Sequence, residues 1–155
     1  MTLPQTLWYS SNVGVSRIID DHYRNNPEKF VRGLYRTGIA DNLGIPLIGA
    51  TPARIRIPHK NRHGQYDNWS RTALPWMSIG YETQVPPIST LTFYNTIANN
   101  GVMMRPRFVQ RVVKDGKTIM EFPPEIMRQH ICKDKTLHEI QTILRQVVSV
   151  GLGKK

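Results

Sequence analysis

Apolar residues recur at helical spacing through the first part of the chain and predict short helices there. Thr2 and Gln5 have the form of a capping box, so a first helix is predicted over about residues 3 to 9. A second helix is predicted to start near Asn12 or Val13, because Ser11 or Asn12 can cap it. The junction between these two helices falls on the triplet at residues 10–12.

A third helix is predicted after Asn26, which can cap it, with Pro27 in its first turn and Gly38 as its stop. Four apolar residues are expected to form its buried stripe: Phe30, Val31, Leu34 and Tyr35. From residue 39 to 75 no period is sustained, so the pattern predicts a long irregular segment. Such loops in a compact domain are usually functional or belong to a larger context.

The second half of the chain predicts two longer helices around a hairpin. A helix is predicted over residues 88 to 100, with Gly101 in the C-terminal capping position. The dipeptide Asp115-Gly116 lies between β-branched runs and predicts a type I′ hairpin near residues 107–121. A short helical piece is expected after Pro124. A capping box formed by Thr136 and Glu139 is then expected to open a helix that ends at Gly151. The fold class is therefore α+β and predominantly helical.

Composition and charge exclude several classes of function but do not identify a particular function. The 155 residues carry a formal net charge of +10, densest near residues 54–63, so a small basic module that binds nucleic acid or an anionic polymer is one alternative. No nucleic-acid motif accompanies the basic residues, so a solvated loop is favoured and no nucleic-acid partner is expected. The single cysteine, Cys132, cannot form an internal disulfide, and no metal-ligand spacing is present, so no metal or cofactor is expected. No apolar run approaches the 18 residues of a membrane span, so we expect this piece to be soluble.

Few polar residues stand out as candidates for chemistry. The triplet Ser10-Ser11-Asn12 is weak on its own, because Ser and Asn are ordinary helix caps. His59 and His63 have no paired nucleophile and are interpreted as surface residues. Four aromatic residues could line a groove, although a core position is favoured for them: Trp69, Trp76, Tyr81 and Phe93.

The sequence around the triplet strengthens its interpretation as a functional motif. Residues 10–16, with the sequence Ser-Ser-Asn-Val-Gly-Val-Ser, closely resemble the second active-site motif of class B penicillin-binding proteins, the monofunctional peptidoglycan transpeptidases. Further blocks resemble the same family in the same order: residues 43–49, 76–87, 95–101, 105–109 and 151–155. Ala50 stands where the family often has an acidic residue, and Glu82 where a glycine is common.

The resemblance implies a partial transpeptidase domain over residues 1–155. The family uses Ser-x-x-Lys, Ser-x-Asn and Lys-Thr-Gly, and only the second occurs here. The chain is therefore expected to be an internal fragment of the transpeptidase domain and inactive by itself. The resemblance assigns catalytic and substrate-binding roles to Ser10, in proton relay and hydrogen bonding, and to Asn12, in holding a substrate amide. Ser11 is expected to be a cap or a packed hydroxyl.

The resemblance also implies the setting of the parent enzyme. It would be a serine-type D,D-transpeptidase that cross-links stem peptides through an acyl-enzyme and binds β-lactams. Its partners would be peptidoglycan stem peptides and proteins of cell-wall synthesis or cell division. Its catalytic domain would be periplasmic and anchored in the inner membrane. The fragment is expected to self-associate, because helices that pack on a missing sheet would leave apolar surface exposed.

Overall fold

The computed structural model describes residues 1–154, which contain six helices and three small two-stranded sheets. The helices are α1 Leu3–Trp8, α2 Asn12–Tyr23, α3 Pro27–Arg36, α4 Ala73–Ser78, α5 Pro87–Ala98 and α6 Asp134–Ser149. The strands are β1 Arg54–Ile55, β2 Thr83–Gln84, β3 Met103–Met104, β4 Arg111–Lys114, β5 Lys117–Glu121 and β6 Ile126–Arg128. The antiparallel pairs are β1–β2, β3–β6 and β4–β5. The predicted class, α+β and predominantly helical, is confirmed.

The N-terminal helices form where the capping residues predict them. Thr2 and Gln5 make the reciprocal capping box of α1. The Asn26 side chain accepts a hydrogen bond from the Lys29 N–H at the start of α3. None of the helices within residues 1–154 has the length and apolar character that a bilayer crossing requires.

A small core lies between α3, β1 and α4. Val31, Ile55 and Met77 are buried at its centre, and Phe30, Leu34, Tyr35 and Trp69 are among the partly buried residues around it. The Tyr35 hydroxyl donates to the carbonyl of Ile55 at 2.9 Å. The predicted stripe of α3 is therefore confirmed, since Val31 is fully buried and its apolar neighbours pack on the same core.

Two arginines fasten the irregular segment that follows α3 to the small sheet β3–β6. Arg128 donates to both carboxylate oxygens of Asp41, at 2.6 and 2.7 Å. Arg105 donates to the Leu43 carbonyl at 2.7 Å and forms a two-fold ion pair with Glu125. The hydrogen bond from Arg105 lowers the pKa of the Glu125 carboxyl below its ordinary value. The segment thus has a defined path although it contains little regular structure.

Two expectations about the second half of the chain need correction, and one short helix was not predicted. The short helical piece expected after Pro124 is instead β6, which pairs with β3. The last helix begins at Asp134, so Thr136 lies inside its first turn and does not cap it. Helix α4 was not predicted, because its six residues are too few to show a period.

The hairpin is confirmed, with Asp115 and Gly116 at φ of 51° and 74° as a type I′ turn requires. All nine residues of β4 and β5 are exposed. In α5 the buried positions are mainly small polar residues: Ser89, Thr92, Thr96 and Ile97. The hydroxyls of Thr92 and Thr96 donate to carbonyls one turn earlier, which satisfies these groups where they are buried.

Candidate active site at the α1–α2 junction

The triplet at residues 10–12 forms the junction of two helices. The Ser11 N–H donates to the Thr6 carbonyl at 2.9 Å, and the Ser10 N–H donates to the Leu7 carbonyl at 3.2 Å. These two bonds are those of a Schellman motif, in which the residue after the helix cap is left-handed and usually glycine. Here that residue is Ser10, with a φ of 49°. A left-handed serine costs energy, and such strain concentrates at functional positions.

Ser11 uses its side chain to start the next helix. Its hydroxyl accepts a hydrogen bond from the Gly14 N–H at 3.1 Å, so Ser11 is the N-cap of α2 and its expected capping role is confirmed. Asn12 is the first residue of α2, and the side chains of Ser10 and Asn12 are both exposed. Within residues 1–154 neither of these side chains makes a hydrogen bond. Their donors and acceptors are therefore free to meet a ligand.

The junction is held by a close contact between the two helices. Thr6 is fully buried, and its hydroxyl donates to the Thr2 carbonyl at 3.0 Å. A Cβ on Gly14 would lie 2.9 Å from both Thr6 Oγ1 and Thr6 Cγ2, closer than side chains normally approach. Gly14 therefore lets α2 start directly against α1. This pair gives no recognisable sequence signal, because the contact depends on the angle between the helices.

A cleft of about 520 Å³ opens beside Asn12, between α2 and α4. Its apolar wall includes Val13, Pro75, Trp76 and Ile79. The Ser16 hydroxyl donates to the Pro75 carbonyl at 3.1 Å and thereby ties the two helices together. The cleft offers an apolar surface directly next to a free carboxamide, which is an arrangement suited to a peptide-like ligand.

Two of the aromatic residues expected in the core are instead exposed. Trp76 is 47% exposed and Tyr81 is 60% exposed, and their rings meet edge to face at 5.0 Å. Trp69 and Phe93 are half-buried. The prediction of a core position was therefore wrong for Trp76 and Tyr81. Trp76 lies in α4 and Tyr81 in the turn that follows it, where the Tyr81 N–H donates to the Trp76 carbonyl at 3.1 Å.

Residues 54–63 form the basic loop that the sequence indicates, and part of its charge is engaged by other side chains of the chain. Arg56 forms an ion pair with Glu82 and lies over the ring of Trp69, 5.3 Å from its centroid. Glu82 has a φ of 58°, which explains why a glycine is common at this position. The Lys60 ammonium lies over the ring of Tyr66.

The remaining titratable candidates, two histidines and one cysteine, lie in surroundings that do not suggest a catalytic role. His59 and His63 are exposed, as expected, and His59 Nδ1 lies 2.9 Å from an oxygen of Asp67. Cys132 is half-buried, and burial raises the pKa of its thiol, which disfavours the reactive thiolate. Among residues 1–154 no group of three or more His, Cys, Asp or Glu side chains is arranged to hold a metal ion.

Comparisons with known proteins all point to penicillin-binding proteins. The family model of the penicillin binding protein transpeptidase domain matches residues 1–155. The penicillin-binding protein PbpB of Mycolicibacterium smegmatis is 26% identical over 140 residues, which are 90% of this chain and 20% of that protein. PbpB of Mycobacterium tuberculosis is also 26% identical over 140 residues, 90% of this chain and 19% of that protein. The chain thus spans about a fifth of the length of these curated relatives.

Solved structures show the same similarity. Penicillin-binding protein 3 of Mycobacterium tuberculosis, solved in complex with aztreonam, superposes with a TM-score of 0.68 at 26% identity, covering 95% of this chain and 30% of that one. Penicillin-binding protein 2B of Streptococcus pneumoniae superposes with a TM-score of 0.73 at 20% identity, covering 99% of this chain and 26% of that one. The second comparison supports the fold alone.

Proposed function

The chain belongs to the transpeptidase-domain family of penicillin-binding proteins, and from this premise we propose that it forms part of the catalytic domain of a peptidoglycan D,D-transpeptidase. The observation that carries the proposal is the α1–α2 junction. Ser10 and Asn12 present free polar side chains on either side of a serine whose hydroxyl is used as a cap. We propose that residues 1–155 are a partial domain and that Ser-x-x-Lys and Lys-Thr-Gly lie in other segments of a longer protein.

The reaction assigns one task to each exposed side chain. The nucleophilic serine attacks the carbonyl carbon of a D-Ala-D-Ala bond, and its proton is passed to the nitrogen of the departing D-Ala. Ser10 serves as a relay in this transfer, because a hydroxyl can accept one proton while it donates another. Asn12 holds the backbone amide of the stem peptide. The amine of a second strand then attacks the acyl-enzyme, forms the cross-link and returns the serine to its free state.

A β-lactam would enter the same cycle as a mimic of the donor strand. Its opened ring leaves an acyl-enzyme at the nucleophilic serine, and Asn12 would bind the amide of its side chain. Mycobacterium tuberculosis penicillin-binding protein 3 has been solved with aztreonam and with ampicillin. We propose that the longer protein binds this class of inhibitor, that it is anchored in the inner membrane with a periplasmic catalytic domain, and that it works with other proteins of cell-wall synthesis or division.

The alternative of a small basic binding module is not favoured. Arg56 and Lys60, two of the cations in its densest region, are engaged with side chains of the chain itself. The match to the transpeptidase domain also extends over all 155 residues. A binding module unrelated to the enzymes would not be expected to match the family over its whole length.

The proposal is tested by acylation kinetics of the full-length protein with a fluorescent penicillin. Asn12→Ala is expected to slow acylation by about 100-fold, the scale of losing one preorganised hydrogen-bonding group at a reacting centre. Ser10→Ala is expected to slow it by about 100-fold or more, because a positioned proton-transfer group contributes at least that much.

Two matched variants serve as controls. Ser11→Ala removes a hydroxyl from the same triplet and is expected to reduce stability by about 1 kcal/mol through the lost cap, with a much smaller effect on acylation. Arg62→Ala removes an exposed charge of the basic loop and is expected to leave acylation unchanged. If either control slowed acylation while Ser10→Ala and Asn12→Ala did not, the assignment of roles would be wrong.

A further inference from the structure

The last turn of α1 presents three consecutive carbonyls that have no partner within the helix. The carbonyls of Thr6 and Leu7 accept hydrogen bonds from Ser11 and Ser10. The third, of Trp8, accepts its hydrogen bond from the N–H of Leu152, at 2.9 Å, near the other end of the chain. The helix end that leads into Ser10 is therefore completed by the segment that follows α6.

Gly151 makes this long-range contact possible. It is buried, and a Cβ at this position would lie 2.4 Å from the Trp8 carbonyl oxygen, 2.9 Å from Trp8 Cα and 3.0 Å from Trp8 C. These are backbone atoms, which cannot turn away as the end of a flexible side chain can. The backbone φ of Gly151 is not in the left-handed region, so space and not conformation requires glycine here.

The contact acts directly on the backbone that carries Ser10. Only Tyr9 separates Trp8 from Ser10, and the two Schellman hydrogen bonds link the same turn to Ser10 and Ser11. A shift of the Trp8 peptide therefore changes the direction in which the strained Ser10 residue points. Catalytic hydrogen bonding is sensitive to such shifts, because a misplacement of about 1 Å can cost on the order of 100-fold in rate.

We propose that Gly151 is a positioning residue for Ser10, and that the segment after α6 sets the geometry of the active-site junction by closing onto Trp8. This inference rests on the proposed transpeptidase function. The contact of Gly151 and Leu152 with Trp8 involves the opposite end of the chain from the triplet. Through this contact, a displacement of the end of α6 would shift Ser10 without any change in the catalytic residues themselves.

The test compares Gly151→Ala with a matched glycine variant in the full-length protein. A Cβ at Gly153 would also lie near backbone, 3.0 Å from the Val147 carbonyl oxygen, but the three atoms nearest to it all belong to α6. Gly151→Ala is expected to lower the acylation rate constant by 10- to 100-fold, with little change in the non-covalent affinity for the penicillin. Gly153→Ala is expected to leave the rate constant within about two-fold of wild type.

A second variant and a spectroscopic readout distinguish positioning from a loss of folding. Leu152→Pro removes the N–H that the Trp8 carbonyl accepts from and keeps Gly151, so it should slow acylation in the same direction by a smaller factor. In both variants the amide resonances of Ser10 and Ser11 are expected to shift, while those of α3 stay unchanged. If Gly151→Ala does not fold, the proposal is tested by Leu152→Pro alone: slower acylation with shifted Ser10 and Ser11 amides supports it, and wild-type behaviour contradicts it.

Asn12→Ala separates failure of this inference from failure of the proposed function. If Asn12→Ala slows acylation while the Gly151 and Leu152 variants behave as wild type, the positioning role is wrong and the function stands. Equal losses of acylation rate in Gly151→Ala and Gly153→Ala would also overturn the positioning role, because they would reflect a general weakening of the end of α6. If Asn12→Ala acylates normally, the role assigned to Asn12 is wrong; if the wild-type full-length protein is not acylated at all, the proposed function itself fails.

Discussion

Ser10 occupies a backbone position that nearly always favours glycine. The αL residue of a Schellman motif costs an L-residue about 1–2 kcal/mol relative to an ordinary conformation, and Ser10 accepts this cost at a φ of 49°. Its side chain makes no compensating hydrogen bond within the part of the chain that the structure describes. Ser10 thus carries a backbone cost that its own side chain does not offset, which is consistent with the proposed role of its hydroxyl in proton relay.

Two substitutions at Ser10 should therefore separate stability from activity. Ser10→Gly removes the strain and is expected to raise the free energy of unfolding by about 1 kcal/mol, whereas Ser10→Ala keeps the strain and gives no gain. Both variants lose the hydroxyl and should slow acylation by about 100-fold. Chemical denaturation and penicillin acylation of the full-length protein measure the two effects. A Ser10→Gly variant that is less stable, or that acylates normally, would contradict this explanation.

The sequence could identify the candidate site residues but not their geometry. Ser10 and Asn12 could be proposed because neighbouring blocks of the family occur in order around them. The left-handed conformation of Ser10 could not be predicted, because a helix end without glycine carries no local signal for a Schellman motif. The exposure of Trp76 and Tyr81 also escaped prediction, because α4 is too short to show a buried face and Tyr81 lies in the turn that follows it.

The relation between α1 and α2 determines how the triplet is presented. Helix α1 has only six residues, too few to be stable alone, so it depends on its contacts with α2 and α6. Thr6 and Gly14 form a close contact between α1 and α2, with no room for a methyl group between them. We expect this pair to be energetically coupled.

A double-mutant cycle tests this coupling. Gly14→Ala alone would normally stabilise a helix interior by about 1 kcal/mol, but here the clash with Thr6 should dominate and destabilise by about 1–3 kcal/mol. In a Thr6→Ala background the two nearest atoms are gone and Ser11 Oγ, at 3.2 Å, is the remaining close neighbour, so most of the penalty of Gly14→Ala should disappear. Denaturant titrations of the four proteins provide the coupling energy. Additive effects would show that the two helices do not meet as described.

Elements with strong local signals could be predicted, and elements defined by their partners could not. The capping residues of α1 and α3 and the Asp115-Gly116 turn act locally, so the sequence alone was sufficient there. Strand β6 has only three residues and exists because β3 lies beside it. The two-residue strands of β1–β2 are likewise defined by their pairing, which no short-range pattern reveals.

The molecule as a whole leaves a large apolar surface exposed. Ile48 and Leu47 in the irregular segment and Val13 beside the cleft are among the most exposed apolar side chains. On β4 and β5, Val113 and Ile119 are 51% and 61% exposed. Apolar side chains gathered on one exposed element, as on β4–β5, usually mark surfaces that contact other segments or other chains.

The 155-residue chain expressed by itself is therefore expected to self-associate. Burying such apolar surface in a dimer or larger species is favourable, and association should increase with concentration. Light scattering over a concentration series and binding of a dye that reports apolar surface provide the measurements. A strict monomer at high concentration with no dye binding would contradict this prediction.

The most direct test of the central claim is to map where a penicillin attaches covalently. The full-length protein and the isolated chain would each be treated with a fluorescent penicillin, denatured and digested, and the labelled peptide identified by mass spectrometry. We predict that the full-length protein carries the label on a serine of a Ser-x-x-Lys sequence outside residues 1–155, that Asn12→Ala slows this labelling about 100-fold, and that the isolated chain stays unlabelled. A label that survives denaturation on any residue of the isolated chain, or a full-length protein that is never labelled, would contradict the account.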